Sequence, residues 1–413
     1  MEACGRWQWG THGDVAKCAN SYALGLVSDY LQLLQVGVGI RGDCEAAVHA
    51  SRRFAQSMPN DWVIAKLDFS NAFNTVHRSC VMKTVAEKVP ELFKFCNLAY
   101  GSPSKLKFGN KIIWSCEGVQ QGDPLGPLLF CLAIQPFLLN LQSVLKIAFL
   151  DDVTVGGHVS TVSEDVFNFS TACQTIGLQL NVAKCELISR CEGVTEGPIH
   201  GFKLLEPGNS SLLGAPLLVG DAMDRSLNHV RESLFRATNR LSLISAHDAL
   251  TILRSCMGAA NLTYMLRSAP CSGHSGLVLI DNILRRACST VINVDLSDDQ
   301  WLQASLPTKL GGLGIRSVSL LAPSAYLASA AGTSDLQNRI LGRVNFPEDL
   351  ELVRVSSYWS SLCQAEHPPL ASLDKQHQLD SKVCQALFQQ LLNRQDSPID
   401  KARLLAVSAS GRP

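Results

Sequence analysis

The chain predicts an α+β fold: a strand-bearing segment over residues 60–218, then an all-helical remainder. Three observations predict it. Short apolar, β-branched runs at 63–69, 147–155 and 184–189 alternate with stretches of helical spacing. Two of those runs meet carboxylates, at Asp68 and at the adjacent pair Asp151-Asp152. After Asp224 the two-residue period disappears and apolar residues recur only at helical spacing.

The elements follow in order. Residues 1–15, with Trp7, Trp9, Gly10 and Gly13, show no period and are expected to form an unstructured leader. Val15 to Leu34 carries a helical apolar stripe, and Gln35 to Gly42 is a glycine-broken loop that matches neither GxGxxG nor a Walker pattern. Asp43 is placed to cap a second helix, with Arg52 and Arg53 near its C-terminal end. Val63 to Phe69 is a strand, followed by a turn and a helix from about His77. Ser104–Phe108 and Lys111–Ser115 alternate around Gly109-Asn110, the pattern of a β-hairpin. Gly118 to Pro127 is a loop opening a long apolar helix, and the hairpin at Ile147–Val155 runs on to Gly156-Gly157. A helix over 164–176 stops at Gly177, and Leu178–Asn181 and Lys184–Ser189 read as strand, turn and strand. Asp224 is the expected cap of a helix carrying Leu227, Val230, Leu234, Leu241 and Ile244. Further helices are expected at 248–267, 276–292, 316–332, 372–394 and 398–407, around the glycine-rich break from Leu306 to Ile315.

The 413 residues suffice for two or three domains with full cores, and 46% hydrophobic against 17% charged residues describes a globular chain. Net charge is zero, but it is unevenly spread: Arg225 to Thr290 holds eight arginines, no lysine and three acids. The 15 cysteines form no CxxC pair, and most stand inside apolar periodic runs as small hydrophobes. Cys185, Cys191 and His200 lack zinc-site spacing. No basic leader followed by an apolar core marks a signal peptide. The run from Leu128 to Leu150 is broken by Gln135, Pro136, Asn140, Gln142 and Lys146, short of the ~20 apolar residues of a membrane span. The expectation is a soluble intracellular protein, nuclear or cytoplasmic, without membrane contact.

The chemistry lies in the acids. Burying a lone carboxylate costs several kcal/mol unless a positive group meets it. Asp68 at one strand end and Asp151-Asp152 in a hairpin turn converge if their strands are neighbours. Such a cluster suits divalent ions that polarise an attacking oxygen and steady a leaving pyrophosphate. Magnesium fits hard oxygen ligands shared with substrate phosphates. An Asp-Asp pair alone is usually a turn or a cap; its combination with Asp68 and the loop Gln120-Gln121-Gly122-Asp123-Pro124 is what points to a site.

Those motifs resemble reverse transcriptases. Lys66-Leu67-Asp68-Phe69 with Ala72-Phe73 resembles the family's first catalytic motif, Gln120 to Phe130 the second, and Phe149-Leu150-Asp151-Asp152 the third. Gly177 to Glu186 is similar to the fourth, with Lys184 at its lysine, and Leu213-Gly214-Ala215-Pro216 falls where the primer-gripping turn begins. The order matches from about Ala16 to Ser329, most closely the polymerases of non-LTR retrotransposons. The resemblance implies a right-hand polymerase: partial fingers over 16–60, a palm over 61–222 with an antiparallel sheet backed by helices, a helical thumb over 223–332 and a helical extension over 333–413. It implies Asp68, Asp151 and the carbonyl of Phe69 as ligands of two Mg²⁺ ions, with Mn²⁺ as an alternative, and Asp152 as a neighbouring catalytic carboxylate. Phe69, Phe73, Gln121, Gly122 and Lys184 would meet the nucleotide, with Phe73 barring a ribose 2′-hydroxyl. Leu213 and Gly214 would contact the primer, and Arg231, Arg236 and Arg240 the duplex phosphates. The implied partners are an RNA template, a DNA primer and deoxynucleoside triphosphates.

The chain departs from the family's pattern ahead of Gln35, where a basic fingers hairpin that grips the triphosphate is expected, and after Ala406, where no zinc cluster or nuclease acid set follows. The expectation is a chain truncated at both ends. Two readings follow: an RNA-directed DNA polymerase core, or an inactive retroelement relic that at most binds RNA. An RNA-templated RNA polymerase is disfavoured by Phe73 and by Phe149-Leu150 before the acid pair.

Overall fold

The computed structural model describes residues 6–32, 34–39, 42–191, 197–342, 346–364 and 374–410. Two compact units result: residues 1–50, 54–207 and 336–346 form the first, and 51–53, 208–335 and 347–413 the second.

The first unit is built on a five-stranded sheet of order β4-β5-β1-β6-β7. Its strands are β1 (Trp62–Leu67), β4 (Leu145–Phe149), β5 (Asp152–His158), β6 (Glu186–Ile188) and β7 (Lys203–Leu205). All neighbours are antiparallel except β6 and β7. Register decides the faces. Leu67 pairs with Val153 and Ala65 with Val155, and all four are buried in the core. One residue out of phase, Lys66 pairs with Thr154 and with Glu186, so the opposite face, apolar further along at Ile64, Leu145, Ile147 and Ile188, turns polar towards the end that bears Asp68. Asp68 and Asp152 continue that polar face at its end. The apolar face packs with α6 (Gly126–Leu138) and α7 (Val159–Gln174) in one core. α6 is apolar all round, and Leu128 through Gln135 are all buried, as a helix without a polar face requires.

Three further helices, α1 (Arg6–Leu31), α4 (Arg78–Lys88) and α5 (Phe93–Tyr100), add to this core. α1 begins well before the expected start at Val15. Of the expected leader, residues 1–5 lie outside the described residues and the rest is helical. Extending a formed helix through a stretch without proline costs far less than nucleating one, so a missing apolar period does not stop it. α2 (Asp43–Ser57) starts after Gly42, whose φ of 78° is left-handed; Asp43 is its first residue rather than its cap, with Oδ1 accepting the Cys44 N–H at 2.7 Å. Ile40 and Arg41 of the glycine-broken loop lie outside the described residues. The predicted hairpin forms as β2 (Ser104–Phe108) and β3 (Lys111–Ser115), a two-stranded sheet of its own.

The second unit opens with a small hairpin, β8 (Ser211–Leu212) and β9 (Ala215–Pro216), and is otherwise helical. Its helices α8 (Asp221–Thr238), α9 (Ala246–Ile252), α10 (Ala259–Ser268), α11 (Ser275–Ile292) and α13 (Val318–Gly332) enclose one core. α12 (Asp298–Ser305), α15 (Leu350–Cys363) and α16 (Gln376–Arg394) frame another around Tyr326 and Trp359. α17 (Pro398–Ser410) completes the unit's helices; α14 (Ser334–Leu341) lies mostly in the first unit, as does the short α3 (Ala72–Thr75). α8 starts three residues before Asp224, after Gly220, so Asp224 sits in its first turn and is not its cap. α12 and α15 are not among the helices expected from the sequence; local capping starts them, by a Ser297–Gln300 capping box and by Asp349 accepting the N–H groups of Glu351 and Leu352. The division between units falls after Pro207, ahead of the expected palm limit at 222, because the β8–β9 hairpin belongs with the helices. Most of the expected extension over 333–413 also belongs to this unit, apart from residues 336–346. Among the described residues no helix is long and apolar enough to cross a membrane.

Candidate active site

Two strand ends bring the acids together. Leu67 is the last residue of β1, and Asp68 follows where the chain leaves the sheet. A second segment fixes it there: the N–H of Asn181 donates to the Asp68 carbonyl at 2.8 Å, and that of Ser70 to the Gln179 carbonyl at 2.9 Å. Phe69 and Leu180 bridge between these bonds, which leaves the Phe69 carbonyl out of them, while the Phe69 ring meets Phe169 edge-on at 5.9 Å. The buried Cys185 sulfur accepts the Asp68 N–H at 3.4 Å. Burial raises that thiol to about 11, so it stays protonated and adds no charge beneath the carboxylate.

Phe149 pairs with Asp152, leaving Leu150-Asp151 as a two-residue turn. Leu150 takes a φ of 60°, a left-handed conformation costing a leucine ~1 kcal/mol or more. The turn is held from outside the sheet by the glycine-broken loop. Ala148 donates to the Leu34 carbonyl at 2.7 Å, and Val36 donates back to the Ala148 carbonyl at 2.9 Å. Gly37 lies so close that a Cβ there would stand 3.1 Å from the Leu150 nitrogen.

Asp68, Phe69, Phe73, Gln121, Asp151 and Lys184 line one cleft of about 460 Å³, joined by Asn71, Asn74 and Asn181. Six of the eight catalytic and nucleotide-binding residues expected from the sequence thus border a single opening. Asp152 borders the adjoining one, shared with Asp68 and Lys184 and lined by Lys66, Glu186 and Lys203. Strand alternation is the reason: Asp151 is in the turn, and Asp152 begins β5 on the polar face. Burial, and then the Asp68 charge, push the Asp151 carboxyl above its ordinary value. Burial and the charge of Asp151 raise Asp152 as well, against the opposing charge of Lys66, which Glu186 holds at 2.5 Å. Burial and mutual repulsion thus oppose the ionised pair, and Lys184 is the cation that lines both openings. The donors are hard oxygens of the kind Mg²⁺ takes, few in number, with room left for phosphate oxygens and water. Among the described residues no set of three His, Cys, Asp or Glu side chains is arranged to hold an ion without such help.

Phe73 follows Asn71, whose φ of 49° turns the chain, and its ring stacks on the fully buried Phe130 of α6 at 4.6 Å and 18°. Gly118 and Gly177, marked in the sequence only as a loop start and a helix stop, clamp this turn. A Cβ on Gly118 would lie 2.5 Å from backbone atoms of Phe73 and Asn74, and one on Gly177 would lie 2.4 Å from the Thr75 carbonyl. Gly122 has a φ of 89° with open space about its Cβ position, so its need for glycine is conformational and its surroundings are free for a ligand. The loop carrying Gln121 and Gly122 is anchored by Tyr100, which donates to Asp123 Oδ2 at 2.5 Å and accepts the Gln120 N–H at 3.3 Å. Burial and this bond hold the phenol far above its ordinary range, hence protonated. Arg78 completes the anchor through the carbonyls of Gly118 and Ser115, both at 2.9 Å. Such contacts join residues distant in sequence and leave no local pattern.

In the second unit, Leu213 and Gly214 form the two-residue turn between β8 and β9, both with positive φ (48° and 81°). Tyr264 of α10 donates to the Leu213 carbonyl at 2.8 Å. Arg236 on α8 is exposed, as is Arg240 in the turn after it, whereas Arg231 is half-buried about 140° round the helix from Arg236. The expected trio is therefore not one stripe; Arg225 and His229 share the face of Arg236 instead. Part of the segment's positive charge is also used internally, as Arg285 pairs with Asp298 at 2.7 Å.

Residues 30–232 match the reverse transcriptase (RNA-dependent DNA polymerase) family. The chain carries a reverse transcriptase domain. It is 26% identical over 328 residues to the Retrotransposable element SLACS 132 kDa protein of Trypanosoma brucei gambiense, covering 74% of this chain and 26% of that protein. The chain spans about a quarter of the length of that curated relative. A solved telomerase structure from Candida albicans overlays with a TM-score of 0.36 at 11% identity, covering 86% of this chain and 56% of the other, too loose an overlap to support a fold assignment.

Proposed function

We propose that the chain is the core of an RNA-directed DNA polymerase, adding deoxynucleotides to a DNA primer along an RNA template. The observation that carries this reading is the single cleft shared by Asp68, Asp151, Phe73, Gln121 and Lys184. In it the sheet-bearing unit acts as palm, residues 16–60 as part of the fingers, and the helices after Asp221 as thumb.

Asp68, Asp151 and the Phe69 carbonyl are the groups that would hold two Mg²⁺ ions, or Mn²⁺ in their place. When bound, such ions polarise the primer 3′-oxygen and offset the charge of the departing pyrophosphate. The chain's own residues do the positioning. Asp152, from the adjoining opening, sets the local charge around Asp151. Phe73, backed by Phe130, puts a fixed ring where a ribose 2′-hydroxyl would sit. Gln121 hydrogen-bonds the nucleotide or its template partner, and Gly122 lets the backbone come close. Lys184 meets the phosphates and donates a proton to the leaving pyrophosphate. Leu213 and Gly214 contact the primer, and Arg231, Arg236 and Arg240 neutralise duplex phosphates, with Arg225 better placed than Arg231 to share the face of Arg236.

Sugar discrimination tests this assignment. Phe73→Val opens the space beside the sugar and is expected to raise ribonucleotide over deoxynucleotide incorporation about tenfold or more, the size of a lost steric exclusion. An unchanged ratio in an active variant would remove Phe73 from its role.

A further inference from the structure

The β2–β3 ribbon has no place in that chemistry, and its composition is unusual for a surface hairpin. Residues 104–115 hold three lysines and no acid. Register puts Lys105, Lys107, Ile112 and Trp114 on one face and Leu106, Phe108, Lys111 and Ile113 on the other. Exposure is high on both: 69% for Phe108, 60% for Ile112 and 55% for Trp114. A free two-stranded ribbon is marginal in water, and side-chain bonds fasten this one at its base. There Arg78 donates to Ser115 Oγ at 2.8 Å and Gln120 to Ser104 Oγ at 3.1 Å. A contiguous exposed apolar surface on a fixed ribbon marks a binding face.

The charge says what kind of ligand fits. Lys105 lies 5.3 Å from the centre of the Trp114 ring, and among the described residues neither Lys105 nor Lys107 has an acid partner. Ammonium groups alternating with an aromatic face suit the phosphates and bases of an unpaired strand, because every base offers a face to stack. Placement agrees. A cavity of about 570 Å³ at the ribbon's base is lined by Trp114, Cys116, Glu117 and Gln120, and it shares Asn74 and Gln121 with the nucleotide cleft.

We propose that the β2–β3 ribbon is a platform for single-stranded RNA, with Trp114 stacking a base and Lys105 and Lys107 holding the adjoining phosphates. Only the direction of that strand, towards the cleft, rests on the polymerase reading.

The test is fluorescence anisotropy of a labelled, unstructured single-stranded RNA of about 12 nucleotides, titrated with the full chain across salt concentrations. Trp114→Ala is expected to weaken binding about tenfold, and Trp114→Phe to keep most of it, since one stacked base is lost only in the first. The double variant Lys105→Ala/Lys107→Ala should lower the slope of log affinity against log salt by about 1.4, for two phosphate contacts to a single strand. Far-UV circular dichroism confirms the fold of each variant, and the lysine pair and Trp114→Phe keep the test decisive if Trp114→Ala unfolds. Wild-type affinity in folded Trp114→Ala and lysine variants overturns the proposal, as does a wild-type chain that binds no single-stranded RNA. A self-association abolished by Trp114→Ala with RNA binding intact overturns it too, by making the ribbon a contact between copies. The titration needs no turnover: a chain that binds as expected but extends no primer leaves the platform standing and the polymerase reading refuted.

Discussion

Gly118→Ala puts the steric account of the sugar gate to work. A Cβ on Gly118 would lie 2.5 Å from the Asn74 carbonyl carbon and oxygen and from the Phe73 carbonyl oxygen. Comfortable separation for such atoms begins near 3.5 Å, so the 73–74 segment must retreat by about 1 Å. Retreat is resisted, because Gly118 N–H donates to Val76 O at 2.9 Å and Val119 N–H to Phe73 O at 2.8 Å. The Gly118 φ of 70° adds a left-handed penalty of ~1 kcal/mol for alanine. With ~1–3 kcal/mol for overpacking, the expected loss is about 2–4 kcal/mol by urea unfolding. The strain also displaces the Phe73 backbone, so discrimination between deoxynucleotides and ribonucleotides should fall by about tenfold or more, as a shift of that size does at a reacting centre. A variant with wild-type stability and an unchanged sugar ratio would refute the reasoning, since neither the clash nor its transmission would then exist.

Other substitutions follow from the same packing. Gly37→Ala brings a Cβ to 3.1 Å from the Leu150 nitrogen and 3.2 Å from Phe149 Cδ2, contacts that yield by a few tenths of an ångström. Its expected cost is ~1–2 kcal/mol by urea unfolding, with turnover reduced about tenfold because Asp151 is the next residue. Tyr100→Phe leaves buried Asp123 without its phenolic donor and should cost ~2 kcal/mol in the same assay. Tyr264→Phe frees the left-handed Leu213 carbonyl, and weaker primer–template binding by about fivefold, equivalent to ~1 kcal/mol, is expected in an anisotropy titration.

The parts legible in the sequence were those encoded locally. Asp68 and Asp151-Asp152 stood out because carboxylates closing apolar runs are costly without a purpose, and Gly109-Asn110 announced its hairpin through turn chemistry. What stayed hidden depends on partners far along the chain. Ala148 gains the 34–36 segment as an edge partner, and Asp123 finds Tyr100, without any periodic trace. The same holds for Cys185 beneath Asp68. Helix starts erred where the helix extended back beyond the expected first turn, at Arg6 and at Asp221. Arg231 and Arg236 do not share a helical stripe, since a spacing of five residues on a helix crosses to another face.

Primer extension by the intact chain on an RNA template, with deoxynucleotides and Mg²⁺, against Asp151→Ala tests whether the cleft between Asp68 and Asp151 carries out polymerisation. Template-directed products are expected from the wild type and should vanish in the folded variant. Equal signal in both, or none in either, would contradict that role.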